Sequence, residues 1–211
     1  MVSYRTIGRD AETEIEVKRS RFRCTLARVE SEAEARAVVD RLRREHWDAR
    51  HHCSAFVIGP PPSPLERSSD DGEPAGTAGA PMLEVLRGAG LSDVVAVVTR
   101  WFGGTLLGAG GLVRAYGDAV REAVAAAGAV RRSLVHEHLL VLDHADAGRV
   151  ESELRARGVS VLDTGYAERV SLRLGVAPSE EERLAALLAE LTAGMVASTI
   201  VGQRWIDRPD G

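Results

Sequence analysis

Residues 94–111 read VVAVVTRWFGGTLLGAGG, and this stretch decides the fold of the first part of the chain. Val94–Thr99 is rich in β-branched residues and lacks polar alternation, the pattern of a strand covered on both faces. Glycine-rich Arg100–Gly111 follows, and an alanine-rich segment then predicts a helix to about Ala127, stopped by Gly128. A strand that needs two covering layers therefore feeds a helix through a flexible turn, which predicts a layered domain of sheet and helices. Glycine lets backbone amides approach a ligand closely, and the first N–H groups of a helix have no intrahelical partner. Gly103, Gly104, Gly108, Gly110 and Gly111 are thus a candidate anion site, with Arg100 and Arg114 adding charge. A tight turn with close helix packing would use the same glycines. The spacing is neither a Walker loop nor a dinucleotide fingerprint.

Outward from this junction, Thr13–Val29 alternates well enough for one or two strands, with Arg21 and Arg23 on one face and Phe22, Cys24 and Leu26 on the other. Lys18, Arg19, Arg21 and Arg23 form a candidate basic face for a partner, weighed against an ordinary solvated strand face. A second cluster holds Arg41, Arg43, Arg44 and Arg50. Ser31 and Glu34 make a capping box for a helix through about Glu45. His51–Gly59 predicts a strand ended by Pro60, Pro61, Pro62 and Pro64, and Glu66–Ala80 predicts a loop. Within that loop Asp70, Asp71 and Glu73 crowd beside Gly72 and Pro74, as the acidic side of a cleft or as plain turn chemistry. Their spacing fails the calcium-loop pattern, and no metal is assigned. Pro81 can open a short helix that Gly88 and Gly90 close. His51 and Cys53 share a strand face, where burial or hydrogen bonding is a better reading than a nucleophile with its base. Cys24 and Cys53 read as small buried hydrophobes rather than a disulfide.

The 211 residues suffice for one large or two small domains, and 45% hydrophobic content excludes disorder. Without an uncharged apolar stretch of ~18 residues or a signal-like start, a soluble cytoplasmic product is expected, with no membrane partner. Residues 1–134 carry 19 basic and 18 acidic side chains, and residues 135–211 carry 8 and 13. Only the first part can present a basic face. Beyond Leu134 the predicted elements are strand Val135–Leu142, helix Ala145–Arg157, strands Val159–Tyr166 and Arg169–Val176, a helix from Ser179 and strand Val196–Ile206. This βαββαβ order is the ferredoxin-like unit. Ser179 and Glu182 form a second capping box, and Arg131, Arg132 and Ser133 a linker, giving domains 1–134 and 135–211. Strands Val135–Leu142 and Arg169–Val176 lack the aromatics on which an RNA-recognition sheet stacks bases.

Four segments, KRSRF at 18–22, DARHHCSAFVIG at 48–59, SDDGEPAGTAGAPM at 69–82 and VVTRWFGGTLLGAGGLVRAYGDAV at 97–120, together resemble the YigZ/IMPACT family. The resemblance covers nearly the whole chain. It implies an α+β protein, with an N-terminal α/β domain similar to domain 2 of ribosomal protein S5. The C-terminal ferredoxin-like domain would be of the DUF1949 type, similar to a late domain of elongation factor G. Eukaryotic relatives modulate the amino-acid-starvation kinase but carry an RWD domain absent here, so only a general tie to translational regulation carries over. The S5-like fold is shared with small-molecule kinases that bind nucleotide phosphates at a glycine-rich helix start, but their serine-rich loop is missing. The expected function is a noncatalytic, translation-associated regulator that contacts RNA, the ribosome or a translation-related protein through the first domain. The alternatives are an enzyme or small-ligand binder taking a phosphorylated or carboxylated compound at the glycine junction, and an interaction scaffold. No catalytic residue and no cofactor is assigned, and the sequence leaves the oligomeric state open.

Overall fold

The computed structural model describes residues 3–210. Tyr4–Arg131, with Pro209 and Asp210, form one compact unit, and Arg132–Arg208, with Ser3, form another. The first runs through β1 (Ser3–Ile7), β2 (Ala11–Val17), β3 (Ser20–Arg28), α1 (Glu32–Glu45), β4 (His51–Ile58), β5 (Leu65–Ser69), α2 (Gly79–Gly88), β6 (Val94–Trp101) and α3 (Ala109–Ala127). Strands β2, β3, β6, β4 and β5 form one sheet in that spatial order, with every neighbouring pair antiparallel.

The unbroken apolar run Val94–Val98 of β6 follows from its central place. Val94, Ala96 and Val98 pack with Phe22, Cys24, Leu26, Cys53 and Ala55 against α2 and α3, through Met82, Leu86, Leu112, Tyr116 and Val120. Val95 and Val97 point the other way, into a second core with Ala27, Val29, Phe56 and the α1 residues Ala35 and Leu42. Alternation on β3 thus delivers Phe22, Cys24 and Leu26 to the first core and keeps Arg21 and Arg23 on the opposite face. Cys24 and Cys53 are both buried free thiols.

In the second unit, β7 (Ala129–Leu142), α4 (His144–Ala156), β8 (Ser160–Tyr166), β9 (Val170–Val176), a 3₁₀ turn (Pro178–Glu180), α5 (Glu181–Thr192) and β10 (Thr199–Pro209) follow in order. The strands lie as β10, β7, β9, β8, the ferredoxin-like arrangement expected from the element order. Leu140, Leu142, Leu172 and Leu174 of the sheet pack on Val150, Leu154, Leu184 and Leu188 of the helices. Among the described residues no helix is long and apolar enough to cross a membrane.

Three local expectations are corrected. Leu65–Ser69 is not loop but a strand paired with β4 from Ile58↔Leu65 to Ser54↔Ser69. As an edge strand it needs only backbone bonds on one side, so polar ERSS leaves no apolar trace. The expected linker Arg131–Ser133 lies inside β7. The second capping box does not form, because Pro178 starts a 3₁₀ turn and α5 begins only at Glu181, with no side-chain cap. The first helix start is capped as expected on one side: Ser31 Oγ accepts from Glu34 N–H at 3.2 Å, while the Glu34 carboxylate accepts from Glu30 N–H, one residue before the cap, at 2.8 Å. Ser31→Ala should therefore cost about 1 kcal/mol in urea unfolding, whereas Ser179→Ala should stay within about 0.5 kcal/mol of the parent.

Candidate functional site

Almost nothing between Ser69 and Ala80 is apolar, and hydrogen bonds hold this turn in place. Ala78, at the N-cap of α2, has no side-chain oxygen to offer the first helical amides. Asp70 supplies it from a distance, with Oδ1 accepting from Ala78 and Gly79 N–H at 3.0 and 2.8 Å and Oδ2 from Gly76 N–H at 2.8 Å. Desolvation pushes the Asp70 carboxyl up, but the amides of Gly76, Gly79 and Ala78 outweigh it and hold the group below its ordinary value. Asp71, in the left-handed region at φ 44°, accepts from Arg43 Nη2 and from His52 N–H, both at 2.6 Å. Its carbonyl lies 2.9 Å from His51 Nδ1.

Glu73 turns inward, its side chain only 4% exposed. Oε1 accepts from Arg100 Nη1, at the end of β6, and from Tyr116 Oη on α3 at 2.7 Å; His51 Nε2 lies 4.0 Å away. Cys53 Sγ is 3.0 Å from the Asp70 carbonyl and 3.3 Å from Tyr116 Oη. The Arg100 guanidinium lies over the rings of Phe22 and Phe102. Burial is the chief reason the Cys53 thiol is pushed up to about 12; the carboxylates of Glu73, Asp71 and Asp70 add to this, and the Tyr116 hydrogen bond opposes it. The sulfur is therefore held as the thiol, a hydrogen-bonding core atom. Burial likewise raises the Tyr116 hydroxyl and lowers the His52 imidazole, leaving both neutral.

The glycine junction divides by role. A Cβ on Gly103 would sit 2.0 Å from the Arg19 carbonyl carbon, and its N–H donates to Ser20 Oγ at 3.1 Å, so this glycine lets the β6–α3 loop lie on the β2–β3 turn. Gly104 and Gly108 adopt φ of 86° and 73°, which glycine takes without strain. A Cβ on Gly111 would come 3.0 Å from Leu107 Cβ, and Gly110 faces open space. The first closed bond of α3 is Leu112 N–H to Gly108 C=O, which leaves the amides of Ala109, Gly110 and Gly111 ahead of the helical ladder.

The two arginines assigned to this junction diverge. Arg100 is buried on Glu73, while Arg114 is exposed and lines an open groove of about 770 Å³ with Gly76, Ala80, Pro81, Val85 and Val113. Asp70, Asp71, Glu73 and Arg100 do not line that groove. Lys18 and Arg19 form the β2–β3 turn, both at positive φ, and Arg19 Nη2 reaches Thr105 Oγ1 at 3.3 Å. Arg23 bonds Glu14 at 3.0 Å, and Arg21 lies 3.9 Å from it. Both guanidiniums also stand over the Trp101 indole, 4.6 and 5.5 Å from its centroid. Half of the basic cluster is thus already paired. Among the described residues no three His, Cys, Asp or Glu side chains group as a metal site. Sequence reasoning passed over Tyr116 and Trp101; the one available signal was a single tyrosine on the inward face of an otherwise small-residue helix.

The molecule is a two-unit α+β protein in which a glycine-rich junction and an acidic turn meet through a buried ion pair. Residues 18–124 match the Impact N-terminal domain, and residues 140–195 match a domain of unknown function, DUF1949. The chain belongs to the IMPACT family. It is 43% identical over 192 residues to IMPACT family member YvyE of Bacillus subtilis (strain 168), spanning 91% of this chain and 88% of that protein. To IMPACT family member YigZ of Escherichia coli (strain K12) it is 39% identical over 180 residues, spanning 85% and 88%. A solved structure described as a hypothetical protein is 37% identical, covers 95% of this chain and 98% of its own, and superposes with a TM-score of 0.64.

Glu73→Ala should destabilise the protein by about 3–5 kcal/mol, because it strands the Arg100 guanidinium in the interior; Tyr116→Phe should cost about 1 kcal/mol, both read from chemical denaturation. The Asp70 contribution is complete above its unfolded value of about 3.9 and is lost as pH falls through its lower folded value. The stability gap between the parent and Asp70→Asn should therefore narrow as pH drops below about 4, in melts taken across that range.

Proposed function

We propose that the chain is a noncatalytic regulator associated with translation, which contacts RNA, the ribosome or a translation-related protein through its first unit. Membership of the IMPACT family supports the tie to translation. The observation that carries the noncatalytic part is the mutual engagement of Glu73, Arg100, Tyr116 and Cys53, whose acid, guanidinium, hydroxyl and thiol bond to one another inside the fold. A small-ligand site at the junction would have to rely on the exposed backbone at Ala109 and Gly110 with Arg114, since Arg100 and the three acids are already bonded. The acidic balance of residues 135–211 favours a protein over nucleic acid on that side.

Sedimentation of the full chain with purified ribosomes tests this reading. Binding should be retained at about 50 mM salt, weaken towards about 200 mM, and fall severalfold in Lys18→Gln/Arg19→Gln. Absence of the chain from the ribosomal pellet and from immobilised translation factors at low salt would defeat it.

A further inference from the structure

Trp47 is 83% exposed, on the turn that leaves α1. An exposed indole on a loose loop would mean little, but this turn is fastened on both sides of the ring. His46 closes onto Leu42 C=O at 2.9 Å and packs edge-on against Trp101 with centroids 5.4 Å apart. Asp48 accepts from Trp101 Nε1 at 2.8 Å. Ala49 N–H returns to the His46 carbonyl at 3.0 Å. Trp101 is in turn held beneath the Arg21 and Arg23 guanidiniums. Both sequence neighbours of Trp47 are therefore anchored to one buttress, while its own ring is left to water, which is unfavourable for so large an apolar surface.

The charge around this ring is more one-sided than the near-neutral first part of the chain suggests. Glu45 is engaged by Arg41, Asp40 and Asp71 by Arg43, Glu12 and Glu14 by Arg23, and Asp48 by the Trp101 indole. Arg44 and Arg50, three residues to either side of Trp47, are exposed and have no ion-pair partner among the described residues. The residues on either side of it in the turn, Arg44, Glu45, His46, Asp48 and Arg50, are all polar, a setting unlike the apolar surroundings into which a protein hot spot packs. An exposed indole on an anchored turn, with uncommitted guanidiniums three residues to either side, suits a ligand that brings a flat ring and a nearby anion together, as each nucleotide of a single strand does.

We propose that the Trp47 turn is a contact for single-stranded RNA, with a base stacked on the indole and flanking phosphates taken by Arg44 and Arg50. This rests on the reading of the chain as a translation-associated regulator and names the partner of its first unit. A base inside a duplex has no open face, so double-stranded RNA of equal length should bind much more weakly.

The test is fluorescence anisotropy of the full chain with a labelled oligouridylate of about twelve nucleotides, a length within the usual single-strand site range, titrated over salt. Trp47→Ala should weaken binding about ten- to a hundredfold without changing the salt slope, and Trp47→Phe should recover much of it. Arg44→Gln and Arg50→Gln should each reduce the slope by about 0.7, the value of one single-strand phosphate contact. Arg36→Gln, on the same helix but paired to Glu32, should change nothing. Circular dichroism and melting temperature should be those of the parent in every variant, since none of these side chains is buried. Equal binding by parent and Trp47→Ala, or no binding by the parent, would overturn the proposal. If oligonucleotide binding is absent but the chain still sediments with ribosomes, the RNA assignment fails and the regulator reading stands. Capture of a purified translation protein that is lost in Trp47→Ala, without oligonucleotide affinity, would make the turn a protein contact and also overturn it.

Discussion

Burying the Glu73 carboxylate against Arg100, with Tyr116 donating to the same oxygen, is the constraint on which the rest of the first unit is arranged. A charge withdrawn from water is costly unless its partners are close and its hydrogen bonds complete. Here the partners come from the acidic turn, the end of the central strand and the middle of the long helix, so their bonds hold three elements in one relation, with Arg100 Nε the one buried nitrogen of that guanidinium left without a hydrogen-bond partner. Once Glu73 is inside, Asp70 stands where it can complete the start of α2 and Asp71 can reach Arg43 and His52. A segment with almost no apolar residues is thereby ordered.

The same constraint changes what the conspicuous residues are for. Of the residues that in isolation resemble a binding cleft, Arg100 and Glu73 are buried on each other, while half-buried Asp70 and Asp71 brace the turn through its amides and Arg43. Gly103 is a packing glycine, since the chain approaches too closely there for any side chain. What remains open to a visitor is the loop backbone at the start of α3 and the groove beside Arg114. The anchored Trp47 turn lies on the α1 side, where Trp101 joins strand to helix end.

Charge totals and charge availability separate sharply in this molecule. Residues 1–134 hold 19 basic and 18 acidic groups, a balance that argues against electrostatic attraction. Most of these side chains are paired on the folded surface, so the potential a partner meets is set by the few that are left over. At exposed positions such pairs add little stability. Their main consequence is to decide which arginines stay free.

The sequence by itself determined those features whose causes are local. Val94–Thr99 announced a strand covered twice because it is β-branched with no polar alternation, Ser31 with Glu34 announced a helix start, and the βαββαβ order announced the second unit. The long SDDGEP and glycine-rich motifs made the family legible. Only the tertiary structure decided that Arg100 pairs with Glu73, that Arg21 and Arg23 rest on Trp101, that ERSS is an edge strand, and that Ser179 caps nothing. Periodicity and capping act over one or two turns of chain and can be read along it. The partner of a charge, or the neighbour of an edge, lies tens of residues away, and its identity exists only once the chain has folded.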